Sequence, residues 1–260
     1  MANVSFDFSG ERALVTGASR GIGYGIAEAF AQAGADLVML AESDDIFGAA
    51  KRLSDATGAQ IRPIKCDIAD SRAVARELRD LERIDILVNN AGLELITPLD
   101  DGSAATESAF KRIFDINALG TYYVTRTVLP KLAEGGRVLF TASIWSRVSV
   151  PEFGAYCASK HAILGFMRSL AAELGPRGIR VNAVCPGWVR TEASMRSLRE
   201  MAVRTGRSEA ELLSEIVGNQ VFGGMMEPSD VAPFYLYLAS DAASNMTGQA
   251  LMADRGEVMA

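Results

Sequence analysis

What most constrains this chain is an alternation that runs from end to end: short apolar runs that read as strands are separated by longer stretches with helical periodicity. The strand-like runs are Ala13–Thr16, Leu37–Leu40, Ile61–Ile64, Ile86–Val88, Val138–Thr141, Val181–Val184 and Ala250–Met252. Most lack polar alternation, so both faces must be covered, as in a parallel sheet. The helical stretches are Ile22–Ala33, Ile46–Ala56, Ser71–Leu81, Ser108–Leu132, Ala155–Leu174 and Ser229–Ala239. Gly34, Gly58, Gly175 and Gly178 fall where helices should stop, and Ser71 and Ser229 where they should start. With 260 residues, 49% of them apolar, the chain can bury one large core. No linker, low-complexity tract or repeat divides it, so the expected class is α/β, a doubly wound parallel sheet in a single domain over residues 1–260.

One segment breaks the rhythm. From Glu192 to Met226 the chain is charged and helical in pattern, carries Met195, Met201, Met225 and Met226, and has no strand of its own. An insertion after the C-terminal end of a strand lies where open sheets bind ligands, so residues 192–226 are expected to form a substrate lid. Twenty-six basic against 32 acidic residues leave a net charge of −6, which gives no field to attract nucleic acid or an anionic membrane. Met1 to Gly10 shows no basic stretch followed by an apolar run, and no window reaches the roughly 18 apolar residues of a membrane span, so a cytoplasmic protein is expected. Cys66, Cys157 and Cys185 are odd in number and lack ligand spacing, so they read as core residues, and no metal site is expected.

The first strand is followed by Thr16-Gly17-Ala18-Ser19-Arg20-Gly21-Ile22-Gly23, which opens the first helix. Glycines there let the backbone turn tightly and approach a pyrophosphate, whose charge is favoured by the unpaired N–H groups of the helix N-terminus. Further on, Tyr156 and Lys160 stand four residues apart in a helical stretch, on one face and within reach of a common ligand. A tyrosine with pKa about 10 is a poor base at neutral pH, and a nearby ammonium favours its ionised form. After the sixth strand, Pro186-Gly187-Trp188-Val189-Arg190-Thr191 presents backbone groups and a hydroxyl at the ligand end of the sheet.

The TGxxxGxG spacing, Asn89-Asn90-Ala91-Gly92, Ser143, Asn117, Tyr156-Cys157-Ala158-Ser159-Lys160 and Pro186-Gly187 with Thr191 together resemble the short-chain dehydrogenase/reductase family over nearly the whole chain. The resemblance implies a seven-stranded Rossmann-type sheet, a nicotinamide cofactor and a homotetramer. It assigns Gly17, Ser19, Arg20, Gly21, Ile22 and Gly23 to the pyrophosphate end, Asp67 and Ile68 to the adenine, and Asn90, Ala91 and Gly92 to the adenosine side and the floor of the site. It assigns Pro186, Gly187, Val189 and Thr191 to the nicotinamide carboxamide. Tyr156 would be the acid/base, Lys160 would also bond the nicotinamide ribose, Ser143 would bond the substrate oxygen, and Asn117 would hold a water linking Lys160 to solvent. The usual family carboxylate would fall at Ala41, one residue before Glu42. Glu42, Asp44 and Asp45, with no base before Lys51, disfavour a 2′-phosphate, whereas Arg20 favours one, so NAD is expected over NADP.

Substrate contacts are expected from Glu94, Ser143, Trp145, Phe153 and Trp188. Gly92-Leu93-Glu94 resembles glucose 1-dehydrogenases, in which an acid faces sugar hydroxyls, and Trp145 and Trp188 suit the apolar face of a ring. Cys185 to Thr191 is instead similar to 3-hydroxybutyrate dehydrogenases, with Arg190, Arg196 and Arg199 as candidate carboxylate anchors. The expected substrate is a small-molecule sugar, polyol or secondary alcohol, ahead of a 3-hydroxy acid or a 3-oxoacyl ester. His161, the only histidine, is read as structural. Asp254-Arg255-Gly256 departs from the family's Asp-Gly-Gly, which puts a local tetramer contact in doubt. The complete set of Asn117, Ser143, Tyr156 and Lys160 argues against a catalytically idle NAD(H)-binding sensor on the same fold.

Overall fold

The computed structural model describes residues 5–259; part of the Met1–Gly10 reading therefore lies outside the described residues. Seven parallel strands form one sheet: β1 (Arg12–Thr16), β2 (Asp36–Ala41), β3 (Ile61–Lys65), β4 (Ile84–Asn89), β5 (Leu132–Thr141), β6 (Arg180–Pro186) and β7 (Ala250–Ala253). Their spatial order is β3-β2-β1-β4-β5-β6-β7, so the direction of winding reverses between β1 and β4. Ligands gather at such a switch point, outside the carboxyl ends of the strands.

Burial on both faces explains the unbroken apolar runs. In β1, Ala13 and Val15 enter the core beneath α1 (Gly21–Gln32), α2 (Asp45–Thr57) and α9 (Pro228–Ala239), whereas Leu14 enters the opposite core. That second core packs α3 (Ser71–Glu77), α5 (Thr121–Val128) and α6 (Gly154–Leu174) against the sheet. A third, smaller cluster joins Trp145, Phe153 and Trp188 to Leu198 and Leu212 of the two helices that follow β6, α7 (Glu192–Thr205) and α8 (Glu209–Gly218).

All seven expected strands are present, and two helical readings change. The stretch expected as one helix over Ser108–Leu132 begins earlier, as α4 (Ala104–Phe114), because the Ser103 hydroxyl accepts from Thr106 N at 3.2 Å and caps it. It slips into a π turn at Asp115–Gly120, resumes as α5, and gives way at Leu132 to a β5 that starts six residues before the expected Val138. The Ser71 helix is started by Asp70, whose carboxylate accepts from Arg72 and Ala73 amides, and it ends at Glu77 instead of Leu81. The segment 192–226 is two helices without a strand, but Met226 forms an isolated parallel bridge with Val189 where the chain returns. No helix among the described residues is long and apolar enough to cross a membrane, and the three cysteines are free and buried.

Candidate active site

The glycine turn is built for close approach. Gly17 has φ 66°, and a Cβ there would stand 2.8 Å from Ala91 Cα; one on Gly23 would stand 2.2 Å from the Gly17 carbonyl. Only glycine lets β1, β4 and the first turn of α1 crowd together in this way. Asn90 braces the crowding by donating to the Thr16 carbonyl at 2.9 Å, while the Thr16 hydroxyl accepts from the amides of Asn90 and Ala91 at 3.0 Å each. Arg20, at the N-cap of α1, offers no side-chain cap, so the amides of that helix face a cleft of about 290 Å³. Uncapped amides beside a turn without Cβ atoms fit a dinucleotide pyrophosphate.

The cleft is lined by every residue expected from the glycine turn through Gly92, namely Gly17, Ser19, Arg20, Gly21, Ile22 and Gly23, then Glu42, Asp67 and Ile68, then Asn90, Ala91 and Gly92. Tyr156, Lys160 and Thr191 close its inner end. At the adenosine rim two arginines are engaged by acids: Arg20 lies 3.2 Å from Glu192 and 3.6 Å from Asp45, and Arg112 lies 2.8 Å from Asp67 and 3.5 Å from Glu42. Arg112 has no motif spacing to announce it, because it reaches the rim from α4 on another layer.

Lys160 is buried and donates to the Thr141 carbonyl at 2.7 Å, with Nζ 5.6 Å from the centre of the Tyr156 ring. Burial lowers its pKa to about 8. Tyr156 is half-buried, and burial together with the Glu94 carboxylate raises its phenol above the ordinary value, opposed by a hydrogen bond from Ser143. The lysine expected to favour the ionised phenol is anchored to a carbonyl, and burial of the phenol opposes that ionisation. The Ser143 oxygen accepts from Trp145 N at 3.1 Å, which leaves its proton to donate forward.

Asn117 sits in the π turn, a helical irregularity frequent at functional sites. Its side chain is committed to structure: Oδ1 accepts from Leu93 N at 2.7 Å, and Nδ2 donates to Leu93 O and to Ser159 Oγ, each at 2.9 Å. It meets Lys160 only across Gly92, where an added methyl would stand 3.3 Å from Asn117 Oδ1 and 3.4 Å from Lys160 Nζ. His161 points elsewhere, bonded to the Cys157 carbonyl one turn back.

A second pocket of about 100 Å³ adjoins the first and holds Ser143, Tyr156, Glu94, Trp145 and Trp188, with Pro186, Gly187, Val189 and Thr191 along its cofactor side. Phe153 is the exception among the expected contacts. It is 2% exposed and packs under Trp145 with ring centres 4.8 Å apart, so it supports the wall and does not line the pocket. Burial raises the Glu94 carboxyl, and its Oε1 is sealed from solvent without a partner. Arg196 of α7 donates to the Glu94 carbonyl at 2.8 Å, a contact from the 192–226 segment that no sequence spacing indicates. No cluster of three or more metal-ligating side chains occurs among the described residues.

A Rossmann-type sheet with a glycine-turn cleft, and a Ser-Tyr-Lys set opening into it, defines a nicotinamide-dependent oxidoreductase site. The family profile described as Enoyl-(Acyl carrier protein) reductase matches residues 17–257, and the chain belongs to the short-chain dehydrogenase/reductase family. It is 38% identical to oxidoreductase UcpA of Salmonella typhimurium over 261 residues, covering 96% of this chain and 95% of that one. It is 33% identical to 2-dehydro-3-deoxy-D-gluconate 5-dehydrogenase of Pseudoalteromonas atlantica over 262 residues, covering 96% and 97%. Among solved structures it is similar to L-sorbose reductase from Gluconobacter frateurii in complex with NADPH and L-sorbose, with TM-score 0.89, 26% identity and coverage of 99% and 100%.

Proposed function

We propose that this oxidoreductase interconverts a neutral polyhydroxy secondary alcohol and its ketone, with NAD as the preferred cofactor. The observation that carries the substrate reading is the Glu94 carboxyl in the same small pocket as Ser143 and Tyr156. A carboxylate there accepts from a substrate hydroxyl and repels an anion. Of the arginines that would anchor a hydroxy acid, Arg190 pairs with Glu227 at 2.8 Å, Arg196 holds the Glu94 carbonyl, and Arg199 lines neither pocket. Similarity to the sorbose enzyme supports the same neutral class, whereas the gluconate-type relative shares the polyhydroxy chain but acts on an anion.

The NAD reading rests on the rim. Glu42 lines the cleft one residue after the position of the family carboxylate, and Arg20 and Arg112 are each shared by two acids, which leaves little positive charge for a 2′-phosphate. The sorbose enzyme is complexed with NADPH, so the NAD reading stands on this rim and not on likeness of fold.

When bound, the nicotinamide takes or gives the hydride. The chain's own groups handle the proton: Tyr156 accepts it from the substrate hydroxyl during oxidation and returns it during reduction. Ser143, its oxygen fixed by the Trp145 amide, donates to the substrate oxygen where charge develops. Lys160, buried and charged below pH about 8, favours the ionised phenol and offers a ribose-binding donor. Asn117 and Lys160 approach each other only across Gly92, where the lack of a side chain supports the reading of a water linking the lysine to solvent. The exposed rings of Phe110 on α4 and Tyr122 on α5 support a homo-oligomer. The test is oxidation of D-gluconate, polyols and D-3-hydroxybutyrate, and reduction of L-sorbose, with NAD(H) and NADP(H) separately. Polyol turnover with NAD is expected; turnover confined to the anions D-gluconate and D-3-hydroxybutyrate, or to NADP, overturns the corresponding half of the reading.

A further inference from the structure

Among the described residues, Glu152 and Arg255 are the only ones other than glycine with a left-handed backbone, at φ 65° and 56°. Side chains rarely tolerate that conformation, and it persists where surrounding contacts over-determine it. Both residues end on the segment 192–226. Glu152, in the loop before α6, forms an ion pair with Arg204 near the C-terminal end of α7, while its carbonyl accepts from Thr97 N at 2.6 Å. Arg255, directly after β7, donates to the carbonyls of Gly223 and Gly224 at 2.7 and 2.9 Å, and to the Asp230 carboxylate at 3.3 Å. Its own carbonyl accepts from the amides of Val221 and Phe222 at 3.0 and 3.1 Å.

The points of attachment matter. The segment leaves the body at Arg190, whose amide donates to the Met226 carbonyl at 2.7 Å, and Met226 N returns a bond to the carbonyl of Trp188, a wall of the substrate pocket. Arg255 thus fixes the returning foot beside that wall, and Glu152 fixes the far end of α7. Neither residue touches either pocket.

We propose that Glu152 and Arg255 are positioning residues that clamp the 192–226 segment shut over the substrate pocket, their strained backbone retained because it aims each side chain at the segment. The proposal rests on reading that segment as a lid. An exposed ion pair contributes little, so Arg255, with three side-chain and two main-chain bonds, carries the larger share.

The geometry supplies an unusually clean test. Glycine relieves the backbone strain at both positions, so Glu152→Gly and Arg255→Gly should fold, with melting temperatures equal to or above wild type. Amide hydrogen exchange across residues 192–218 should nonetheless quicken, by about tenfold in Arg255→Gly and two- to threefold in Glu152→Gly. The KM of whichever probe turns over, a neutral polyol or L-sorbose, should rise in the same proportion while the KM of NAD(H) holds, and Arg255→Lys should recover part of the loss. Wild-type exchange and KM in both glycine variants overturn the clamp. If exchange across 192–218 in the wild type is the same with and without cofactor plus probe, the clamp is overturned together with the lid reading; the two failures are thereby told apart.

Discussion

The two ends of the ligand cleft are made of different materials. The cofactor end is main chain: glycine turns, uncapped amides of α1, and short polar braces such as Asn90 to Thr16 at 2.9 Å. The substrate end is side chain: Trp145, Trp188 and Glu94 from three separate loops, backed by helices that leave the sheet and return. A surface made of backbone is shared by any sequence that keeps the glycines, whereas one made of long side chains changes with each substitution. The first end can therefore be common to a family whose second end differs in every member.

The sharpest way to break that division is to remove chemistry without disturbing either wall. Tyr156→Phe deletes one hydroxyl, whose side-chain partner is Ser143. Turnover should fall by about 10³-fold or more, the upper range for a general acid/base, while NAD(H) binding measured by fluorescence stays within a few-fold of wild type. Lys160→Ala should strike both ends. It removes the donor to Thr141 O at the join between them, so we expect kcat lower by about 10²-fold together with weaker cofactor binding. A Lys160→Ala enzyme that loses only one of the two would show that the lysine belongs to one wall and not to the join.

Legibility from sequence follows the same division. Each strand run and each glycine of the turn carries a local signal, because covered strands and left-handed turns are demanded by the backbone itself. The π turn at Asp115–Gly120 carries none, since Asn117 acts through Leu93 and Ser159, 24 and 42 residues away. Arg112, Arg196 and Thr141 likewise act across layers of the fold, where neither periodicity nor motif spacing reaches. Phe153 was legible as an aromatic near the pocket but not as a support, because spacing places a residue near Trp145 without saying which ring stands in front.

Cofactor choice is a smaller effect and sharpens the comparison from the other side, as it is the one feature of the cofactor end set by side chains. Glu42→Ala should free Arg112 from one of its two acids and move the NADP-to-NAD ratio of kcat/KM toward NADP by about tenfold, equivalent to about 1.4 kcal/mol. Unchanged preference would place the ribose carboxylate elsewhere on the rim.

Glu94 should show a trade between function and stability. Its carboxyl is raised by burial, so the folded protein binds that proton more tightly than the unfolded chain does. Stability attributable to this group is fully present below the ordinary carboxylate range and is lost as pH rises through the raised value. Glu94→Gln, which cannot ionise, should therefore gain about 1 kcal/mol, or about 2 °C in melting temperature, at pH 7–8 and much less at pH 4.5, while the KM of a polyol rises several-fold. A variant that gains nothing at neutral pH would show that the carboxylate is solvated in place.

The smallest effect expected on catalysis separates a wall from its support. Phe153 is fully packed beneath Trp145, and Trp145 in turn meets Tyr156 edge-on at 5.8 Å and Trp188 at 6.4 Å. Phe153→Leu removes ring volume that nothing else fills, so it should cost about 1–2 kcal/mol in unfolding free energy, measured by urea titration. Because the substrate meets Trp145 and not the ring below it, KM and kcat should each move less than about threefold, below 1 kcal/mol. A Phe153→Leu enzyme whose KM rises far more than its stability falls would place that ring in the pocket after all, and the substrate end would then be deeper than its 100 Å³ suggests.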